Sequence, residues 1–289
     1  MRAVKITPRY DTGPIIRLDG PPSAVRTPLL RQRRRFARQL STFTPDQWAA
    51  ASRCEGWRVQ DVVAHLTSTD QFWHFAVASG LAGTPTRMLE SFDPKAVPAA
   101  LVDAVRDVPA ADALAAYVEA NDALCMLFES LDDAGWDAVG EAPPGHLGIG
   151  ALAHHALWDS WVHERDVLQP LGIAQDEEPD EVLACLRYAA ALSPAFALQA
   201  GGARAGTFAL VVERPPAQIL VTVGDDVRVT DGTDRIGGGV MSDAFVLRGD
   251  AVELLEALSV RRPLRQAVPD EHAWLLAGLR EVFETTPAG

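Results

Sequence analysis

The amino-acid sequence predicts a two-domain α+β protein, in which an antiparallel four-helix bundle precedes a small domain with a short, mostly antiparallel sheet. Two observations support this prediction. Up to about residue 202, apolar residues recur near a 3.6-residue period over long segments. From residue 203 onward, short β-branched segments alternate with Pro and Gly, a pattern typical of strands and turns. We therefore expect an extended arm over 1–22, the helical bundle over 23–202 and the α+β domain over 203–289.

Four long segments with this periodicity predict the helices of the bundle, and a fifth follows them. Pro, Gly or Asp residues mark most of their ends. The predicted helices cover residues 25–40, 59–81, 111–131, 149–171 and 180–200. A short helix is expected to begin at Thr44-Pro45-Asp46, because Thr caps a helix well and Pro suits its first position. The segment from Gly140 to Gly150 is expected to be a loop.

The C-terminal part of the chain carries weaker but consistent strand signals. Short apolar or alternating segments are separated by Pro215-Pro216 and by Asp225-Asp226, which favour turns. The predicted strands cover 207–213, 218–223, 227–230 and 244–247, and the predicted helices cover 250–258 and 271–283. The glycine run 237–239 is expected to be a loop, since no strand leads into it and no helix follows it as a phosphate loop requires.

The charge of the chain is unevenly distributed. The formal net charge is −13, but residues 1–38 contain ten basic and two acidic residues, so this segment carries +8 and the remainder −21. A body this acidic repels a phosphate backbone, and we expect no nucleic-acid partner. The arginines between positions 31 and 38 fit a nucleic-acid-binding arm or a solvated helix face. The solvated face is the simpler interpretation.

Composition also bears on the compartment. No apolar stretch reaches the roughly 18 residues that a membrane span needs, so no membrane partner is expected. Residues 1–22 contain four prolines and no apolar segment, and a secretory signal is therefore not expected. Three widely spaced cysteines do not form a disulfide framework, which favours a cytoplasmic protein. The sequence gives no indication of oligomeric state.

The histidines around position 160 are the strongest candidates for chemistry. Asp159 and His163 are four residues apart, so both can face the same side of a helix, and the same holds for His155 and Asp159. A carboxylate and an imidazole one turn apart are two ready ligands for a divalent metal, and His65 on another apolar helix can supply a third. Hydrogen-bonded histidines of the bundle core explain the same spacing equally well.

A family resemblance strengthens the metal interpretation. The segment Arg53-Cys-Glu-Gly-Trp-Arg-Val-Gln-Asp-Val-Val-Ala-His65-Leu resembles the C-x-G-W-x-V-x-D-V-x-x-H-L pattern of DinB-like bundles in the mycothiol-dependent maleylpyruvate isomerase family. The segment Asp159-Ser-Trp-Val-His163-Glu-Arg-Asp166 resembles the second motif of that family, Glu-x-x-x-His-x-x-Asp. The resemblance covers roughly residues 25–175. It implies that His65, Asp159 and His163 bind a divalent metal, usually zinc.

Two departures from the family pattern affect what the resemblance implies. Asp159 stands where the isomerases have Glu, so its reach is one methylene shorter and His155 becomes an alternative ligand. The arm over 1–22 has no counterpart in the pattern. Both departures concern the specific isomerase reaction more than the metal.

The resemblance extends more loosely to the C-terminal domain. Leu258-Ser-Val-Arg261-Arg262-Pro resembles a Gly-Arg motif that ends a helix in the family, which makes Arg261 the candidate catalytic residue and Arg262 the next choice. Two surface arginines that interact with the helix dipole are the alternative.

The resemblance implies a cytoplasmic, metal-dependent enzyme that uses mycothiol, a thiol of actinobacteria. Such an enzyme would catalyse a thiol-dependent isomerisation of a small electrophilic or carboxylate-bearing metabolite, or would transfer the thiol to it. An arginine would hold the substrate carboxylate. A chain with 24 Arg and 2 Lys agrees with a GC-rich genome. The alternative is a metal-stabilised binding or regulatory module without turnover, because a fold alone does not establish catalysis.

Three further residues lie close to the predicted ligands in the sequence. Asp61 precedes His65 by one turn, and Asp166 follows His163 by three residues, so either can orient a ligand imidazole. A helix-surface carboxylate is the simpler interpretation of both. Cys54 precedes the helix of His65 and is either a reactive thiol or a buried structural cysteine, the second being favoured.

Overall fold

The structure is a computed structural model, and it describes residues 6–10, 13–90, 92–202, 204–232 and 244–283. Parts of the expected arm and the glycine run 237–239 lie outside these residues. The helices are α1 Arg26–Leu40, α2 Pro45–Ala49, α3 Val59–Leu81, α4 Ala96–Ala104, α5 Ala110–Ser130, α6 Asp133–Asp137, α7 Ile149–Leu168, α8 Pro179–Gln199, α9 Ala251–Leu258 and α10 Trp274–Phe283. The strands are β1 Ile16–Leu18, β2 Val139–Ala142, β3 Gly145–Gly148, β4 Gly206–Val212, β5 Ala217–Val223, β6 Val227–Asp231 and β7 Phe245–Gly249.

Helices α1, α3, α5 and α7 form the four-helix bundle. Each of the pairs α1–α5, α1–α7, α3–α5 and α3–α7 is in contact. Helix α3 begins and ends where the periodicity predicts, and its first turn is closed by Asp61, whose Oδ2 accepts the backbone N–H of Arg58 at 2.9 Å. Such a cap satisfies one of the donors that a helix leaves unpaired at its start.

The C-terminal sheet has the strand order β1-β6-β5-β4-β7. The central pairings β4–β5 and β5–β6 are antiparallel, while the outer strands β1 and β7 are added in parallel. The fold is therefore the expected α+β arrangement, and its sheet also recruits Ile16–Leu18 from the arm.

Helix α8 lies between the two parts of the molecule. It contacts α7 on the bundle side, and α9, α10 and strand β6 on the other. By length and composition it is apolar enough to cross a membrane, but 78% of its most apolar window is buried inside the protein. It therefore serves as a shared core helix.

The segment expected as a loop between Gly140 and Gly150 contains a short hairpin, β2–β3. Its central residue is the fully buried Glu141, whose carboxylate accepts hydrogen bonds from Tyr10 Oη at 2.5 Å, Thr86 Oγ1 at 2.6 Å and Leu89 N at 2.7 Å. These partners are distant in sequence. The hairpin thus depends on tertiary contacts, and no local strand signal predicts it.

The arginines of α1 do not all form a solvated face, and that interpretation is wrong for Arg33 and Arg35. Arg33 is 1% exposed, and its guanidinium donates to Asp70 Oδ1 at 2.7 Å, Asn121 Oδ1 at 3.3 Å and Ala156 O at 3.0 Å. Arg35 pairs with two fully buried carboxylates on α7 and α8, at 3.0 and 2.9 Å. Arg31 and Arg34 are more exposed, and each pairs with acids of a neighbouring helix.

Candidate metal centre

The bundle brings together the three residues that the sequence suggests as ligands. His65 projects from α3, and Asp159 and His163 project from the neighbouring α7. One ligand atom from each lies within 4.8 Å of the other two. His163 Nε2 is 3.7 Å from Asp159 Oδ1, and the rings of His65 and His163 are 4.9 Å apart between centroids. The distances suit three donors around a small central ion.

The chemistry of this donor set fits a cation. The Nδ1 atom of His65 is buried and has no hydrogen-bond partner among the residues that the structure describes. An unpaired polar atom in such a place costs free energy, and a bound ion that takes up an imidazole lone pair removes that cost. The Asp159 side chain remains 15% exposed, which leaves one side of the cluster open, while Trp57 packs against His65 with ring centroids 5.4 Å apart.

The pKa values of the two histidines are shifted in opposite directions. Burial and, to a lesser extent, the charge on the neighbouring His163 lower the pKa of His65 to about 4, so His65 is neutral and can act as a ligand. Burial also lowers the pKa of His163, but Cys54, Asp166 and Asp159 outweigh this effect and raise it to about 10. Without another cation, a proton on His163 therefore compensates the surrounding negative charge.

Asp166 fixes the orientation of His163. Its Oδ2 lies 3.1 Å from His163 Nδ1, on the opposite side of the ring from Nε2 and Asp159. The Asp166 carboxyl is fully buried, and its pKa lies well below the usual range: burial alone would raise it, but His163 and Arg261 outweigh this effect. Asp166 is therefore not a helix-surface carboxylate. Its position matches that of the carboxylates that orient metal-bound imidazoles in proteins.

Arg261 reaches Asp166 from the C-terminal domain. Its Nε donates to both carboxylate oxygens at 3.1 and 3.0 Å, and its Nη2 donates to Oδ2 at 2.9 Å. The preceding Val260 has a φ of 57°, the only positive φ of a non-Gly residue in the described part of the chain. A β-branched residue adopts this conformation at a cost, so the turn that directs Arg261 towards Asp166 is held by its surroundings.

Three hydrogen bonds that the sequence did not reveal hold this turn against α7 and the loop before α3. Trp158 Nε1 donates to Ser259 Oγ at 2.8 Å, and Glu256 accepts from Arg53 at 2.7 Å and Arg165 at 3.0 Å. No motif marks Ser259 or Glu256, because their partners are about 100 to 200 residues away in the chain. The C-terminal domain is thus docked directly behind the candidate ligands.

Cys54 belongs to the same network. It is only partly buried, and its thiol donates to Asp166 Oδ2 at 3.3 Å and lies 3.6 Å from His163 Nδ1. Cys54, His163 and Asp166 thus form a second grouping of potential ligands. The Asp166 oxygens in it are already occupied by Arg261 and His163, so we interpret this grouping as the support of the first.

The remaining sequence candidates lie outside the cluster. His155 Nδ1 is 2.6 Å from Tyr188 Oη, and its ring packs against Trp73. Asp61 pairs with Arg58 and Arg106 instead of His65. Arg262 lies 3.8 to 3.9 Å from two glutamates of α9 and is not part of the network around His163.

Comparison with known proteins agrees with this architecture. The sequence profile described as the mycothiol maleylpyruvate isomerase N-terminal domain matches residues 29–168. Two crystal structures are similar in fold, namely the mycothiol-dependent maleylpyruvate isomerase and a histidine-to-alanine mutant of it. Each is 14% identical in sequence, with a TM-score of 0.58, and the match covers 84% of this chain and 91% of the other. Comparison with curated proteins finds no match.

The matched region spans the whole bundle, including α3 and α7 with the three clustered side chains. The solved structures extend the similarity of fold to the C-terminal domain. The helical bundle over residues 29–168 is therefore similar to the mycothiol maleylpyruvate isomerase N-terminal domain, and the chain as a whole resembles the solved isomerase in fold.

Proposed function

We propose that this protein is a metal-dependent enzyme that uses a low-molecular-weight thiol, mycothiol, either to isomerise a small electrophilic or carboxylate-bearing metabolite or to form a thioether with it. The observation that carries the proposal is the cluster of His65, Asp159 and His163, in which two imidazoles and one carboxylate each bring a potential ligand atom to within 4.8 Å of the others. The names of the matching family and of the similar structures support the thiol and the isomerase chemistry.

His65, Asp159 and His163 would hold the ion. Two imidazoles and one carboxylate are a donor set that zinc accepts in catalytic sites, where a further position stays open for water or substrate. The shorter Asp159 side chain already lies 3.7 Å from His163 Nε2, so it needs no help from His155. When bound, a zinc ion supplies Lewis acidity and lowers the pKa of a coordinated thiol or water.

The other residues would position these ligands and the substrate. Asp166 accepts the Nδ1 proton of His163 and thereby leaves the Nε2 lone pair facing Asp159. Arg261 uses Nε and one N–H of Nη2 to hold Asp166. Its Nη1 donates one N–H to the backbone oxygen of Ser259 at 3.5 Å. One N–H on Nη1 and one on Nη2 remain for a substrate carboxylate, which an arginine can bind with two parallel hydrogen bonds.

A metal-stabilised module without turnover would use the same three ligands. The two functions differ in coordination, because structural zinc sites are closed by four protein ligands and catalytic sites keep an exchangeable one. The partial exposure of His65 and Asp159 favours the open arrangement. No fourth His, Cys, Asp or Glu joins this grouping within the described residues.

Metal analysis tests the ligand assignment. We expect about one zinc ion per chain in the purified protein, and less than about a tenth of that in His65→Ala and His163→Ala, because each removes one of three protein ligands. His74→Ala is the matched control, since His74 lies on α3 outside the cluster. Full metal content in both ligand variants would contradict the assignment.

A separate measurement tests the thiol. Mycothiol at millimolar concentration should raise the melting temperature of the zinc-loaded protein, because a ligand that binds the native state stabilises it by mass action. The zinc-free protein should show no such shift. With maleylpyruvate as substrate, turnover that requires both zinc and mycothiol would establish the isomerase reaction. Zinc without any thiol effect would instead support the non-catalytic module.

A further inference from the structure

A second cavity lies on the other side of α7 from the metal centre. It is a cleft of about 720 Å³ between the arm, the start of α7, helix α8 and the C-terminal sheet. His154 lines it, nine residues before His163. Nine residues are two and a half helical turns, so the two histidines face opposite sides of α7 and lie about 14 Å apart along its axis. The cleft and the metal centre are therefore separate.

The walls of the cleft are mainly apolar and closely fixed. Ile16, Trp136, Leu183 and Ile219 are among the lining residues. The arm packs tightly on α7 here, because a Cβ at Gly150 would lie only 2.7 Å from Pro22. Apolar atoms form more of the wall than polar atoms do, and a volume of several hundred Å³ with predominantly apolar walls is typical of small-molecule sites.

His154 is the buried polar group of this cleft. It is 9% exposed, and its Nδ1 lies 2.8 Å from the carbonyl oxygen of Gly150. A carbonyl can only accept, so Nδ1 carries the proton and Nε2 has a free lone pair. Within the described residues, Nε2 has no partner. Burial lowers the pKa of His154 to about 4, which keeps the ring neutral and Nε2 an acceptor.

The cleft also carries charged side chains of both signs, namely Arg17, Arg187 and Arg228 with Asp19, Asp137, Asp180 and Asp231. Arg187 pairs with Asp231 of β6 and donates to the backbone oxygen of Asp19 in the arm at 2.5 Å. Asp180 pairs with Arg31, and Arg17 pairs with Asp226. Because three arginines and four aspartates nearly balance, they give no strong preference for an anion or a cation. His154 is the buried side chain of the cleft whose second ring nitrogen remains for a ligand.

We propose that this cleft is a second binding site, for a small uncharged molecule with an apolar, ring-sized body and one hydroxyl or N–H donor that hydrogen-bonds to His154 Nε2. The apolar walls accept the body of the ligand, and the histidine selects for the donor. The arm forms one wall, so the site depends on a segment outside the conserved pattern of the bundle family. The site requires neither the metal nor the thiol.

Phenol and toluene are suitable probes, because they share a ring and differ in the hydroxyl donor. Calorimetric titration of the full chain should show one phenol bound per chain, about tenfold more tightly than toluene, which is the usual effect of one net hydrogen bond. Leu183→Trp fills the cleft from a partly exposed position on α8 and should abolish the binding of both probes. Leu127→Trp, on α5 outside the cleft, is the matched control and should bind both normally.

His154→Phe isolates the hydrogen bond. It should reduce phenol binding to the level of toluene and leave toluene binding unchanged, while the zinc content stays at the wild-type value. Equal binding of both probes by the wild-type protein would overturn the proposal, as would a lack of phenol binding at 10 mM. Phenol binding that survives Leu183→Trp but disappears with a chelator would place phenol at the metal centre and likewise overturn it.

Discussion

Two clusters of polar side chains lie inside the same helical bundle, and the negative charge of the carboxylate in each is compensated in a different way. In the candidate metal centre, Asp159 lies beside His65 and His163 and has no ion pair with an arginine or lysine among the described residues. In the second group, Arg33 and Asp70 are 1% and 0% exposed and form an ion pair at 2.7 Å. Asp70 lies on α3 only five residues beyond His65, so one helix contributes to both groups.

The difference shows how a ligand site can be distinguished from a structural ion pair. Burying a carboxylate is costly unless a positive charge accompanies it. For Asp70, the protein itself supplies that charge through Arg33. For Asp159, the nearest positive charge is a proton on His163, which a metal ion can replace. A carboxylate that is surrounded by histidines and lacks an arginine or lysine partner, such as Asp159, therefore favours a cation site. A carboxylate paired with an arginine, such as Asp70, does not.

The largest loss of stability is expected when Arg33, the protein's own counter-charge for Asp70, is removed. Arg33→Met should lower the free energy of unfolding by about 3 to 5 kcal/mol, because it leaves Asp70 buried without its counter-charge. Urea unfolding measures this change. Arg34→Met on the same helix is the control: Arg34 and its partner Glu129 are both more than 40% exposed, so its loss should cost under about 1 kcal/mol.

A double variant separates charge from shape. Arg33→Met with Asp70→Leu should recover most of the lost stability, because replacing both members of a buried pair with apolar residues is often close to neutral. Failure of the double variant to recover would show that the polar group stabilises the bundle through more than charge compensation.

If a metal ion compensates the charge of Asp159, the stability of the protein should depend on zinc to a comparable extent. Zinc at a thousandfold excess over its dissociation constant should stabilise the protein by about 4 kcal/mol, and a chelator should abolish this gain. Melting temperatures with zinc and with chelator measure the difference. His65→Ala should melt at the same temperature in both conditions. An unchanged wild-type melting temperature after chelation would remove the distinction between the two polar groups.

The carboxylate behind the ligands should have a smaller effect. Asp166→Asn should weaken zinc binding about 10- to 100-fold, the usual effect of losing a carboxylate that orients a metal-bound imidazole. Asp61→Asn is the matched control, since Asp61 is also a buried aspartate paired with arginines but does not contact His65. Competition with a coloured chelator measures both affinities. Equal losses in the two variants would indicate a general effect on folding.

The smallest change in zinc affinity is expected at Arg261, which contacts Asp166 and not a candidate ligand. Arg261→Met should weaken zinc binding by less than about tenfold, because Arg261 acts on His163 only through Asp166. The adjacent Arg262→Met should leave the affinity unchanged, since Arg262 contacts only glutamates of α9. A larger loss in Arg262→Met than in Arg261→Met would contradict the proposed role of the Asp166 contact.

The parts of the fold that follow from local sequence were predictable. Helix α3 begins at Val59 and ends at Leu81, as its periodicity indicates, because its apolar stripe and its cap are both encoded within the segment. The grouping of Asp159 with His163 follows in the same way from helical spacing. His65 is suggested by its place in another apolar helix, and the resemblance between motifs strengthens that choice, since nothing local relates α3 to α7.

The parts that depend on distant partners were not predictable. The arginines of α1 look like a solvated face because their acidic partners on α3, α7 and α8 are distributed over much of the chain. Hairpin β2–β3 has two prolines in its turn and glycines in both strands, which disfavour strands, and its Glu141 accepts hydrogen bonds from the arm and from residues 86–89. Such contacts leave no periodic signal in the sequence.

The pairing of β1 with β6 has a consequence for synthesis and truncation. Ile16 lies opposite Val227, so a strand near the start of the chain meets its partner only after more than two hundred further residues have been made. Pairings of such high contact order form late in folding. The sheet is therefore discontinuous in sequence, and a fragment that ends after α8 would present β1 as an unpaired edge. Strand β1 can therefore complete its pairing only after β6 has been synthesised.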